Sequence, residues 1–356
     1  NKKMHKQHKP TIQPLFDANH AERCIRLFVC VDYDKPFRIN EDIELTFTNS
    51  GHMLGSAIVN LAIKEKDGVK KIAFTGDIGR PKSHILKAPQ PFPQCDYLIT
   101  ESTYGDRLHD DQLVSEQQLL DVVEHTCVDK KGKLIIPSFS VGRTQEIVYV
   151  LNQLYNEHKL PAIHVYVDSP LSVNATNIFK LYTDSMNDDV RETMIHDKDP
   201  FGFNSLTYIT DINESKALNS DKNPAIIISA SGMLEAGRVK HHVANHIDDP
   251  STTILIVGYC TPTSLGARLQ DPKIKYISIF GFDHKKRAEI EKIEGFSGHG
   301  DYKEMIDYLT CQQVEKVRKV FIVHGEEKAQ SSFKDHLYEA GFRGIEIPQK
   351  GEEFIL

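Results

Sequence analysis

KLIIPSFSVGRTQEIVYVLNQLYNEH, residues 133–158, carries the transition on which the fold turns. It opens on a short apolar run without alternation, KLIIPSF (133–139), the pattern of a strand covered on both faces. TQEIVYVLNQLYNEH (144–158) then sets Ile147, Leu151, Leu154 and Tyr155 at helical spacing. A doubly covered strand feeding a helix is the unit of a parallel sheet. Three more runs repeat the first: AIHVYVDSP (162–170), AIIISASG (225–232) and TILIVGY (253–259). The centre of the chain is therefore expected to be a parallel-sheet α/β domain.

On either side the rhythm differs. EDIELTFTN (41–49) and SAIVNLAIKEKDGVKKIAFTGD (56–77) read as strands, with Asp67-Gly68 as a hairpin turn, and CDYLITEST (95–103) reads as another. LVSEQQLLDVVEHTCVDKKG (113–132) sets Leu113, Leu120, Val123 and Cys127 near one helical face and ends on a glycine. From 273 to 296 the chain reads as two strands around a polar turn. A helix (301–309), the strand KVFIVH (319–324), a helix (327–340) stopped by Gly341 and a final strand complete it. The expected organisation is an outer domain, 1–110 and 295–356, interrupted by an insert, 111–294.

Composition sets outer limits. With 356 residues and 40% apolar content, about two domains can bury cores. A net charge of -7 excludes a global positive field, although NKKMHKQHK (1–9), DHKKR (283–287) and KVRK (316–319) are locally basic. Cysteines 24, 30, 95, 127, 260 and 311 form no Cys-x-x-Cys pair, so a disulfide framework is not expected and a reducing cytoplasm is. No apolar run approaches the roughly 20 residues of a membrane span. A lysine-rich start without an initiator methionine leads us to expect part of a longer chain.

Chemistry concentrates where strands end. SGHMLGS (His52), GFSGHGD (His299) and FIVHGEE (His324) carry histidines, and FTGDIGR (Asp77) and ITESTYGD (Glu101) carry carboxylates. Imidazole with carboxylate suits zinc. One strand-end histidine is more often structural than ligating. Five such positions with glycine-rich flanks point to a site.

SGHMLGSA, FTGDIGR, ESTYGDR, GFSGHGD and VHGEE resemble, in order, the motifs of the β-CASP branch of the metallo-β-lactamase superfamily. PSFSVGRTQE, VDSPLS and SASGMLEAGRVKHH resemble that branch's inserted domain. The resemblance implies a metallo-β-lactamase-type αββα sandwich around a β-CASP insert, and a zinc-dependent ribonuclease with RNA in the interdomain cleft. It makes His52 and His324 ligands of two zinc ions, Asp77 their bridge, and His299 a general acid oriented by Glu101. A histidine at 324 matches the RNA-cutting members. In the insert, Ser231 and Gly232 would offer backbone N–H groups to a phosphate at a helix start, and Arg143 and Arg238 would add side-chain contacts. For both arginines a salt bridge across the interdomain cleft is nearly as good a reading. His241 and His242 either line the cleft or cap local structure.

The family's His-x-His-x-Asp-His signature does not occur in this sequence, and His5 and His8 have the wrong spacing to replace it. Zinc would keep only two ligands per ion, the outer sandwich would lack strands and expose apolar surface, and activity should be weak or absent. An upstream part of a longer chain is expected to complete the site, with a separate complementing N-terminal segment or a truncated form with a damaged site as the alternatives. RNA and a homo-oligomer are the other expected partnerships. The competing reading is a catalytically impaired RNA-binding or scaffold subunit. Hydrolysis of a small ester or lactam would leave the insert unexplained.

Overall fold

A computed structural model of the chain describes residues 12–109 and 112–356, the side chains of 112 and 113 excepted. The basic stretch 1–9, His5, His8 and the Leu113 side chain lie outside the described residues. After helix α1 (Ala18–Ile25), which buries no residue, strands β1 (Phe37–Arg38), β2 (Ile43–Asn49), β3 (Ala57–Glu65) and β4 (Gly68–Phe74) form an antiparallel meander. Strand β5 (Tyr97–Thr100) adds in parallel to β4. The β3–β4 hairpin pairs Glu65 with Gly68, so its loop is Lys66–Asp67, one residue earlier than expected.

The chain then builds a second sheet. Helix α2 (Gln112–Val123) continues as a π-helical turn over Glu124–Asp129 and delivers β6 (Lys133–Pro137). There follow α3 (Arg143–Asn156), β7 (His164–Asp168), α4 (Pro170–Leu181), α5 (Asp188–His196), β8 (Leu206–Ile209), α6 (Ile212–Ala217), β9 (Ala225–Ser229), α7 (Val239–His246), β10 (Thr253–Ile256) and α8 (Leu265–Gln270). Next come β11 (Tyr276–Ile279), β12 (Phe282–Lys285) and β13 (Glu289–Lys292). The sheet order is β13-β10-β6-β9-β7-β8, and every neighbouring pair is parallel. The runs of β6, β9 and β10 are buried on both faces, Leu134 and Ile136 joining one cluster and Ile135 another. Strand β7 departs from expectation and alternates, with His164 exposed and Tyr166 half-buried.

Residues 273–296 depart from expectation. They form three strands: β11 and β12 pair antiparallel as a separate hairpin, and β13 is a parallel edge of the six-stranded sheet. Glu289-Ile290-Glu291-Lys292 hides its role because an edge strand does not need to be apolar on both faces.

The chain returns through α9 (Tyr302–Leu309), β14 (Lys319–Ile322), α10 (Glu327–Glu339) and β15 (Ile345–Glu346). The first sheet then reads β1-β2-β3-β4-β5-β14-β15 and is mixed. Met305 and Leu309 of α9 and Phe333 and Leu337 of α10 cover one face, packing on Ile58, Leu98 and Val320. The other face keeps apolar side chains in reach of water, among them Ile72 and Phe74, and the segment 12–30 is exposed throughout. This is a metallo-β-lactamase-type α/β fold with an inserted parallel-sheet domain, and among the described residues the outer part shows one sheet. No helix among the described residues is long and apolar enough to cross a membrane.

Candidate metal centre and cleft

Topology gathers the strand ends. β4, β5 and β14 are parallel neighbours, and β2 runs the same way across the meander, so all four finish on one edge of the sheet. Side chains just past those ends meet there, as open α/β sheets dictate. His52 follows β2, Asp77 follows β4, Glu101 follows β5 and His324 follows β14. His299 arrives from the loop before α9, whose first turn Asp301 caps by accepting from Glu304 N–H.

The two oxygens of Asp77 face different histidines. Oδ2 lies 3.6 Å from His52 Nε2, and Oδ1 lies 3.3 Å from His324 Nδ1. Donor atoms of His52, Asp77 and His299 cluster within 4.8 Å of one another, as do those of Asp77, Glu101 and His324. Imidazole nitrogens on both sides of one carboxylate fit a cation on each side.

Surrounding hydrogen bonds orient the rings. Gly298 O accepts from His52 Nδ1 at 3.1 Å, so Nδ1 carries the proton and Nε2 is left as a lone pair toward Asp77. Burial, then the nearby His299, pushes the His52 imidazole below its ordinary pKa and keeps it neutral, the form that ligates metal. Glu101 is buried yet satisfied: Ile78 N–H and the Thr103 hydroxyl each donate at 2.5 Å, and His299 Nδ1–H donates at 3.0 Å. Burial pushes the Glu101 pKa up, but His299 and these donors outweigh it and hold the carboxylate ionised. For His299 burial opposes charge, and Glu101 outweighs it, so its pKa is raised. With Nδ1 engaged, His299 presents Nε2 to the cleft.

Glycine spacing has a packing reason. A Cβ on Gly79 would lie 2.1 Å from Gly51 O and 2.6 Å from His52 N, so the Asp77 and His52 loops cross in backbone contact. The absence of a side chain at Gly79 thus lets the loop after β4 pack on the His52 backbone. Ser56 Oγ accepts from His52 N–H and Met53 N–H, both at 3.1 Å, and closes the loop.

A cleft of 730 Å³ runs from this centre to the insert, bounded by His52, Asp77, His299 and His324 on one wall and Phe139, Arg143, Ser231 and Tyr259 on the other. The Tyr259 hydroxyl donates across it to Glu326 Oε1 at 3.0 Å. Of the four expected phosphate contacts, Arg143 and Ser231 line the cleft, and Arg143 is paired with Glu146 of its own helix. Arg238 and Gly232 do not line it. Arg238 bonds the buried Asp168 at 2.7 Å and Thr210 O at 2.6 Å, an ion pair inside the insert, whereas the expected bridge crossed the cleft. Gly232 seats the Phe139 ring, whose carbons lie 3.0 Å from where a Cβ would stand. The helix expected directly after SASGML begins later, at Val239, so the N–H groups of Ser231 and Gly232 belong to a loop. His242 is buried against Asp168 (2.6 Å) and Asn219 (2.8 Å), while His241 stacks on Phe280 outside the cleft.

Sequence reading passed over Thr103, although it sits inside the quoted ESTYGD motif. Its Oγ1 also lies 3.1 Å from His324 Nδ1. It also passed over His109, whose Nε2 lies 3.1 Å from His299 O and braces the loop that carries the acid. A lone histidine after a turn gives no signal of that contact.

Fold and site define an α/β metallo-hydrolase. A model of the Beta-Casp domain matches residues 144–269, and a model described as Zn-dependent metallo-hydrolase RNA specificity domain matches 283–348. The chain is 30% identical over 318 residues to Ribonuclease TTHA0252 of Thermus thermophilus, covering 89% of this chain and 70% of that protein. It is 34% identical over 320 residues to an RNase J-like protein of Methanocaldococcus jannaschii, covering 89% and 71%. To Transcription termination factor FttA of the same organism it is 34% identical over 329 residues, 90% of this chain and 51% of that protein. The chain belongs to the β-CASP family of metal-dependent ribonucleases within the metallo-β-lactamase superfamily.

Proposed function

We propose that this chain carries the catalytic face of a zinc-dependent ribonuclease that hydrolyses RNA phosphodiester bonds in the cleft between sheet edge and insert. The observation that carries the reading is Asp77, with one oxygen toward His52 and the other toward His324, beside the His299–Glu101 pair. His52 through Nε2, Asp77 through both oxygens and the imidazole of His324 would hold two zinc ions. Zinc bound there supplies charge stabilisation at the phosphate and an acidified water.

The remaining steps belong to side chains. His299, charged beside Glu101, gives its Nε2 proton to the departing ribose oxygen. Glu101 keeps the ring aimed and stabilises its charge. Arg143 meets the phosphate on leaving Glu146, and Ser231 offers loop contacts on the insert wall. His299 stands near the ligands, yet its engagement with Glu101 favours proton transfer over ligation. The six free cysteines support work in the reducing cytoplasm.

The described ligands give each ion two protein groups, so zinc should bind this chain loosely. Zinc titration, followed by assay of a short RNA and a small carboxylic ester at saturating zinc, tests the reading. RNA cleavage without ester turnover is expected. Ester turnover without RNA cleavage would overturn the substrate assignment, and tight binding of two ions by these residues would overturn the loose-site account.

A further inference from the structure

We propose that the β11–β12 hairpin is a second RNA contact, outside the cleft, on which bases of single-stranded RNA stack while neighbouring cations meet its phosphates. The proposal rests on the ribonuclease reading above and extends it to how the substrate strand is held beyond the reaction centre.

The hairpin exposes aromatic rings that the fold had no need to expose. Strand β11 already anchors the hairpin: Ile277 and Ile279 are buried in the cluster that holds Leu234, Val239 and Val243, and Phe282, opposite Ile279, projects beyond that cluster near the turn. Yet Tyr276 is 62% exposed, Phe280 52% and Phe282 72%. Tyr276 stands on the outer face with Lys285 directly across from it. Phe280 and Gly281 form the two-residue turn, with φ of 55° and 87°. Asparagine or aspartate is the usual first residue of such a turn, because a bulky side chain at positive φ is strained. An aromatic ring held there against local preference is an outlier that calls for a role. The ring is also braced: His241 stacks on it at 4.5 Å between centroids, and Lys240 Nζ lies 5.4 Å from its centre.

Charge selects the partner. Residues 273–287 carry Lys273, Lys275, Lys285, Lys286 and Arg287 against a single carboxylate, Asp283, in a chain whose net charge is -7. Lys286 is occupied by the carbonyls of Leu269 and Asp271, whereas Lys273, Lys275, Lys285 and Arg287 are exposed. Exposed rings among exposed cations match a polyanion with accessible flat bases, and a single strand offers both. The position is suitable. The cluster under the hairpin includes Leu234, the neighbour of Met233 on the cleft wall, so a strand leaving the cleft over this wall can reach the hairpin.

The test is binding by fluorescence anisotropy in EDTA, where no metal-dependent cleavage intrudes. The probes are an oligouridine tetramer confined to the cleft and an oligouridine several times longer. Phe282→Ser, and separately Phe280→Asn, which suits the turn and so protects folding, should each weaken the long oligomer about five- to tenfold and leave the tetramer unchanged. Lys285→Gln should lower the salt dependence of long-oligomer binding by about one phosphate contact. If long-oligomer affinity is the same in all three variants, the hairpin proposal fails while the cleft reading stands. If the unaltered protein binds neither oligomer, both fail. If Phe282→Ser converts a dimer to a monomer in sedimentation without changing RNA affinity, the patch is a contact between copies and the proposal is overturned.

Discussion

The two sheets treat their faces differently. In the insert, β6, β9 and β10 are buried at every position, on both sides. In the outer sheet, β4 buries little beyond Ala73, with Val69 54% and Phe74 42% exposed. The reactive groups belong to the less covered sheet, at the ends of its strands. Stability and chemistry are thus assigned to different halves: the insert supplies a rigid wall, and the outer edge supplies ligands and the acid. The division makes effects of substitution separable.

The sharpest test is on the outer edge. Asp77→Ala should abolish zinc binding and RNA hydrolysis together, while the unfolding midpoint measured in EDTA stays near that of the parent. His299→Ala should slow the chemical step by about 10²–10⁴-fold, with metal content by mass spectrometry near normal. Emptying of the metal site in that variant would make His299 a ligand and sink the assignment of an acid.

Within the insert the reverse pattern is expected. Ile228→Ala, at a fully buried position, should cost about 2–5 kcal/mol in urea unfolding and leave zinc affinity unchanged. A smaller effect comes from pH. His246 is buried, its Nε2 has no partner, and it packs near Lys133, His242, Lys222 and Asp249. Burial, then Lys133, pushes its pKa down to about 4. The folded insert therefore prefers the neutral ring. Its contribution is intact above the unfolded value near 6.5 and fades as pH falls from there to about 4, by on the order of 2 kcal/mol. Unfolding midpoints between pH 7.5 and 4.5 should fall less steeply in His246→Asn. Smallest of all, Phe74→Ser on the open face should shift stability by no more than about 0.5 kcal/mol. A loss comparable to Ile228→Ala would show that this face is covered in solution and would erase the contrast between the sheets.

Much of this was legible in the chain. Continuous runs such as AIIIS marked double burial, because a strand covered on both faces has no position left for a polar side chain. The site was legible as five titratable residues just past apolar runs, since strand ends are where a sheet presents groups to a cleft. Arg238 was not legible. Its partner Asp168 lies 70 positions earlier and reads as one more strand residue. Nor was Gly232, whose neighbour is a ring from a different strand end, or β13, whose mixed residues look like a turn until the edge it completes is known.

The order of residues alone determined where most strands and helices lie and which titratable side chains stand just past the strand ends, because burial pattern and strand period are local properties. Tertiary structure alone decided that Asp77 offers one oxygen to each of two imidazoles and that Gly298 O turns His52 Nε2 toward it. It also decided that one arginine faces the cleft while another is spent on a buried carboxylate. Ligation, proton transfer and ion pairing depend on separations of a few ångströms between residues distant in the chain, and those separations exist only once the sheets have closed on one another.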